Sequence, residues 1–121
     1  MDADLLASRA SAAWFCTYDD HEVDNDWVSD TDQEGSPPEV FLLRRAAAMQ
    51  AFYEFMPMRK SAFPRGAAMQ AYRRAQYGDL LDVAFLDTRQ FRSNQPCGGR
   101  FNVTCPGIEA TAAQVLGDAQ E

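Results

Sequence analysis

Five carboxylates and one imidazole fall within eight residues: Asp19, Asp20, His21, Glu22, Asp24 and Asp26. His21 is the chain's only histidine, and Arg9 is the only cation among the first forty residues. Clustered carboxylates repel one another, and the repulsion grows as water is excluded. Such a group is therefore either fully solvated or organised around a cation. Hard oxygen ligands suit Ca²⁺, Mg²⁺ or Mn²⁺, and an imidazole widens the choice to iron or zinc. A solvated acidic loop with a surface histidine is the plain alternative.

The elements around the loop favour a cation. Trp14–Tyr18 is a short, mostly apolar run bounded by polar residues, which predicts a buried strand. Groups delivered where a strand ends are well placed to share a cleft. Asp2–Ala13 reads as a helix with an acidic first turn. Residues 31–36 read as a loop. Ser36-Pro37-Pro38-Glu39 has the capping-box pattern and predicts a helix ending by Met56, because Pro57 follows. Two apolar stripes run along it, Val40-Leu43-Ala47-Ala51 and Phe41-Ala48-Phe52-Phe55, which predicts a buried helix. Met49, Met56, Met58 and Met69 read as packing rather than metal ligands.

Further on, Ala68–Tyr77 and Leu80–Thr88 flank Gly78-Asp79 and predict a hairpin. Residues 93–106 read as a loop. Thr111-Ala112-Ala113-Gln114 suggests a capping box for a short helix that stops at Gly117. Cys16 reads as a small buried hydrophobe. Cys97 and Cys105 bracket a Gly-Gly loop without zinc-type spacing, and in an oxidising compartment they suit a loop-closing disulfide.

A chain of 121 residues with 46% hydrophobic and 12% aromatic content is at most one domain and can bury a core. Its net charge of −7 argues against a nucleic-acid binder. No apolar run has the length of a membrane helix, and no signal peptide opens the chain. Ten of the eleven basic residues lie between Arg44 and Arg100. An acidic half followed by an arginine-rich half suits a site that handles both cations and phosphates. Arg73, Arg74, Arg89 and Arg92 are candidates for phosphate contact or for pairing with the acidic half.

The block Tyr18-Asp19-Asp20-His21-Glu22-Val23-Asp24-Asn25-Asp26-Trp27 resembles one found in PhoD-like alkaline phosphatases and phosphodiesterases, within the calcineurin-like metallophosphoesterases. Leu86-Asp87-Thr88-Arg89-Gln90-Phe91-Arg92 is the second specific match. Arg44–Ala48, Tyr53–Pro57, Tyr72–Arg74, Tyr77–Leu80, Gln95–Cys97 and Leu116–Glu121 follow in register, so the resemblance covers nearly the whole chain. It departs in two places: the family's tryptophan before the Asp-Asp pair is Tyr18, and the block's second asparagine is Asp26.

The resemblance implies an α/β fold, a partial metallophosphoesterase-like two-sheet α/β sandwich with one long buried helix and a few strands. It implies metal-dependent hydrolysis of phosphate esters. Asp20 or Asn25 would be a metal ligand, His21 would lie near the phosphate, and Asp19 and Glu22 would orient their neighbours. Arg89 and Arg92 become candidate phosphate contacts. Ca, Fe or Mn ions in a binuclear centre are the implied cofactors. Cys97–Cys105 pairing fits a family typically exported to the periplasm or beyond the cell.

The family's Asp-rich metal blocks would precede Trp14, and its histidine pair would follow Glu121. Residues 1–121 are therefore expected to be the middle of a PhoD-like domain, truncated at both ends. Two functions follow: a phosphoesterase part that is inactive alone, or a non-catalytic acidic fragment that binds a cation or a partner. Unpaired strand edges predict self-association.

Overall fold

The computed structural model describes residues 2–99, 104–106, 108 and 113–121. Its elements are two helices and one two-stranded sheet, a mixed α/β arrangement. A two-sheet sandwich is not present among the described residues. Helix α1 spans Ala3–Ser11, with the Asp2 side chain accepting from the backbone N–H groups of Asp4 and Leu5. Helix α2 spans Pro38–Phe55. Pro37 is its N-cap and no side chain caps it, so the capping box expected at Ser36 does not form. The Ser36 N–H instead donates to Asp32 Oδ1 at 2.8 Å, tying the residue into the preceding loop. Met56 caps the far end, where Pro57 stops the helix.

Only one of the two apolar stripes of α2 reaches the core. Phe41, Arg45 and Met49 are buried at i, i+4, i+8 spacing, while Val40, Leu43, Ala47 and Ala51 are exposed. The helix is thus half-exposed rather than buried. Arg45 is accommodated because its Nε donates to Ala67 O at 2.7 Å and its Nη1 to Ser29 O. Its guanidinium also lies 5.7 Å from the Trp27 ring centre.

The core gathers Tyr18, Trp27, Phe41, Met49, Ala62, Met69 and Ala71, with Val23, Phe52, Tyr53 and Met58 packed against it. Tyr18 meets Phe52 edge-on at 5.5 Å, and Trp27 meets Phe41 at 6.0 Å. Three of the four methionines expected to pack therefore do so, and Met56 Sδ accepts from Arg9.

Strands β1 (Arg73–Tyr77) and β2 (Leu81–Phe85) pair antiparallel, Arg73 opposite Phe85 and Tyr77 opposite Leu81. Both are shorter than expected. Gly78 adopts φ +54° in the connection, a conformation glycine takes without strain. Trp14–Tyr18 is not a strand. Side-chain hydrogen bonds tie it down instead: Arg73 donates to Cys16 O at 2.8 Å, and the segment's own Thr17 Oγ1 donates to Leu86 O at 3.0 Å. Cys16 is half-buried rather than buried. Cys97 and Cys105 are joined by a disulfide. Thr111 and Ala112 lie outside the described residues, and residues 113–117 form no helix. No helix among the described residues is long and apolar enough to cross a membrane.

A buried polar network fastens the first acidic segment to the chain after β2. Tyr18 Oη donates to Asp87 Oδ2 at 2.6 Å, and Gln90 Nε2 donates to Tyr18 Oη at 2.6 Å and to Met69 O at 2.7 Å. Asp87 Oδ1 accepts the N–H groups of Arg89 and Gln90, and Gln120 clasps the Asp87 backbone from the other side. Burial first, and the Asp87 carboxylate second, push the Tyr18 hydroxyl well above its ordinary pKa. A folded pKa above the unfolded value of about 10 means full stabilisation below that pH and loss above it. Tyr18→Phe should cost about 1–3 kcal/mol at pH 7 and should flatten the fall in stability above about pH 10. Urea denaturation across that pH range checks both.

Candidate active site

The loop after Tyr18 turns back on itself at once. The N–H groups of Val23 and Asp24 both donate to Asp20 O at 2.9 Å, and Glu22 Oε2 accepts the Asp19 N–H at 2.9 Å. Glu22 thus closes the turn on which Asp20 and His21 sit. Asp26 takes φ +51°, a conformation that Asn, Asp and Gly tolerate best, which explains how an aspartate can stand where an asparagine is expected. Trp27 is fully buried and anchors the far end, donating through Nε1 to Asp19 O at 3.2 Å.

One cation organises the carboxylates. Arg89, 7% exposed, donates through Nε to Asp19 Oδ1 at 2.6 Å. Its Nη2 lies 3.5 Å from Asp20 Oδ1, and its Nη1 lies 3.8 Å from Asp26 Oδ1 and 3.4 Å from Trp27 O. Burial pulls the Arg89 pKa down, but Asp19, Asp20 and Asp26 together outweigh it, and the net shift is upward. All three nitrogens face protein oxygens, so Arg89 is the internal counter-ion of this loop. Asp20 is held below the usual carboxylate pKa, first by the Asp26 N–H donating to Oδ2 at 3.1 Å and then, less strongly, by Arg89.

The remaining expected residues are placed as follows. The His21 side chain is 80% exposed, with Nε2 3.7 Å from Asp20 Oδ2. Asn25 Nδ2 donates to Gln33 Oε1. Arg92 is half-buried, and its N–H bonds Arg89 O at 3.4 Å. Arg73 and Arg74 are drawn elsewhere, Arg73 over the Phe85 ring and Arg74 to Asp82.

A second acidic group was not singled out by sequence reasoning. One oxygen each of Asp24, Asp32 and Glu34 lie within 4.8 Å of one another, and Asp24 Oδ2 pairs with Arg44. Asp32 and Glu34 belong to a segment that composition marks only as a polar loop. No local spacing signals that it folds back beside Asp24.

A family model described as PhoD-like phosphatase matches residues 1–121. The chain is 49% identical over 94 residues to alkaline phosphatase D of Bacillus subtilis (strain 168), covering 78% of this chain and 16% of that protein. A solved structure titled "Structure of PhoD" superposes with a TM-score of 0.92 at 41% identity, over 98% of this chain and 23% of that one. The chain thus spans less than a quarter of either relative.

Replacing Arg89 with Met should remove the counter-ion of three carboxylates. Asp19 and Asp26 are more than half exposed, so solvent offsets part of the loss and the expected cost is about 2 kcal/mol at pH 7. A depressed carboxylate pKa stabilises above the unfolded value and loses that contribution as pH falls through the folded one. The gap between wild type and Arg89→Met should therefore close below about pH 4 in chemical denaturation.

Proposed function

Because the chain belongs to the PhoD-like phosphatase family, we propose that it carries the acid-and-histidine loop of a metal-dependent phosphoric ester hydrolase, acting on phosphomonoesters or phosphodiesters. Residues 1–121 are the central part of that catalytic domain in this reading. The observation that carries it is the Asp20–His21 turn, with an outward-facing imidazole and aspartates clamped by Arg89.

The donor chemistry fits a hard cation. Asp20 is held below the usual carboxylate pKa, and Asp20 or Asn25 would lend a first-row or alkaline-earth ion (Ca, Fe or Mn) its oxygen ligand. When bound, such ions neutralise phosphoryl charge and activate the attacking oxygen. The chain's own residues do the rest. His21 is open to an approaching ester and stabilises the charge that develops on the leaving oxygen, or protonates it. Glu22 fixes the turn that presents His21, and Asp19 is held by Arg89. Arg89 therefore positions the carboxylates, and Arg92 is the arginine left to meet a phosphate oxygen. The Cys97–Cys105 disulfide supports an oxidising compartment, in keeping with an exported enzyme.

The 121-residue chain alone should give no turnover of p-nitrophenyl phosphate or bis-p-nitrophenyl phosphate above background with Ca²⁺, Mn²⁺ or Fe³⁺. Substituted for the matching segment of the Bacillus enzyme, it should support hydrolysis, and His21→Ala should lower kcat by about 10²–10⁴. A chimera indifferent to His21→Ala would remove the catalytic role assigned here.

A further inference from the structure

The Asp24, Asp32 and Glu34 group has a different counter-ion from the loop face clamped by Arg89. Arg89 serves Asp19, Asp20 and Asp26, whereas Asp24 is paired with Arg44. Three carboxylates and one guanidinium leave two negative charges within a cluster whose oxygens are at most 4.8 Å apart. Asp32 makes this costly to leave uncompensated. The residue is 5% exposed, and its Oδ1 is taken by the Ser36 N–H at 2.8 Å. Its Oδ2 is buried and accepts no hydrogen bond among the described residues. A buried carboxylate oxygen without a donor carries a full desolvation penalty unless a cation meets it. A cavity of about 360 Å³ opens beside Asp32, lined also by Asp26, Thr31, Gln33 and Asn94.

We propose that Asp24, Asp32 and Glu34 form a calcium site separate from the Asp20–His21 centre. Asp32 Oδ2 is its buried ligand, Asp24 lends an oxygen shared with Arg44, and Glu34 closes it from the exposed side. Loop-borne carboxylates without an imposed octahedron suit Ca²⁺ over Mg²⁺. The bound ion ties the 24–26 turn to the 31–36 loop, next to the helix α2 start. The site goes beyond the phosphatase reading and stands without it.

Calorimetric titration of the 121-residue chain with CaCl₂ is the test. Wild type should bind one ion with a Kd on the order of 10⁻⁴ M. Asp32→Asn, which keeps an oxygen for the Ser36 N–H, and Glu34→Gln, at an exposed position, should each weaken binding by about tenfold or more. Asp20→Asn should leave the Asp32-dependent ion bound. No calcium heat in wild type, a Glu34→Gln titration that overlays wild type, or loss of all binding in Asp20→Asn would overturn the proposal. The phosphatase reading rests on the His21 chimera and would survive any of these results.

Discussion

A single buried guanidinium decides the shape of the acidic loop. Without Arg89, Asp19, Asp20 and Asp26 would face one another with no internal cation, and repulsion would open the turn toward solvent. With it, two aspartates are held at one planar fork, and the third is drawn in from across the turn. His21 is then carried outward because the residue before it is fixed inward. The exposed imidazole follows from where the positive charge sits.

Arg89 can do this only because the segment that bears it is itself anchored. Asp87 accepts two backbone N–H groups and the Tyr18 hydroxyl, and Gln90 reaches both Tyr18 and the Met69 carbonyl. Hydrogen bonds in a site this dry are strong when complete and costly when broken. The arrangement also explains why the two most specific blocks of the sequence go together. One supplies the acids and the tyrosine, and the other supplies the aspartate, arginine and glutamine that hold them.

Much of this was legible residue by residue. Pro37 and Pro57 bracket α2, so its limits were nearly fixed by sterics, and Gly78 located the hairpin turn. Other features were hidden because local pattern does not determine them. Two apolar stripes on α2 look equivalent in sequence, and the core selects the one carrying Arg45, a residue that hydropathy would place outside. The Trp14–Tyr18 run has strand composition, yet it is held by two side-chain bonds, Arg73 to Cys16 O and Thr17 Oγ1 to Leu86 O, and not by a strand ladder. The Asp24, Asp32 and Glu34 group depends on how a polar loop folds back, which no spacing rule encodes. The role of Arg89 as counter-ion was one of two readings, and the choice needed a contact across 70 positions.

The Tyr18–Asp87 hydrogen bond also joins residues 69 positions apart, and that separation has a meaning in time. A ribosome adding about 5–20 residues per second makes Asp87 some 3–14 s after Tyr18. During that interval Tyr18 lacks its acceptor, and Trp27 and the acidic turn have no Arg89 to gather them. Hairpin β1–β2, whose partners are close in sequence, can close within microseconds of its synthesis. The acid-and-histidine loop therefore waits on the chain after β2 to acquire its shape, although it is among the first parts to be made.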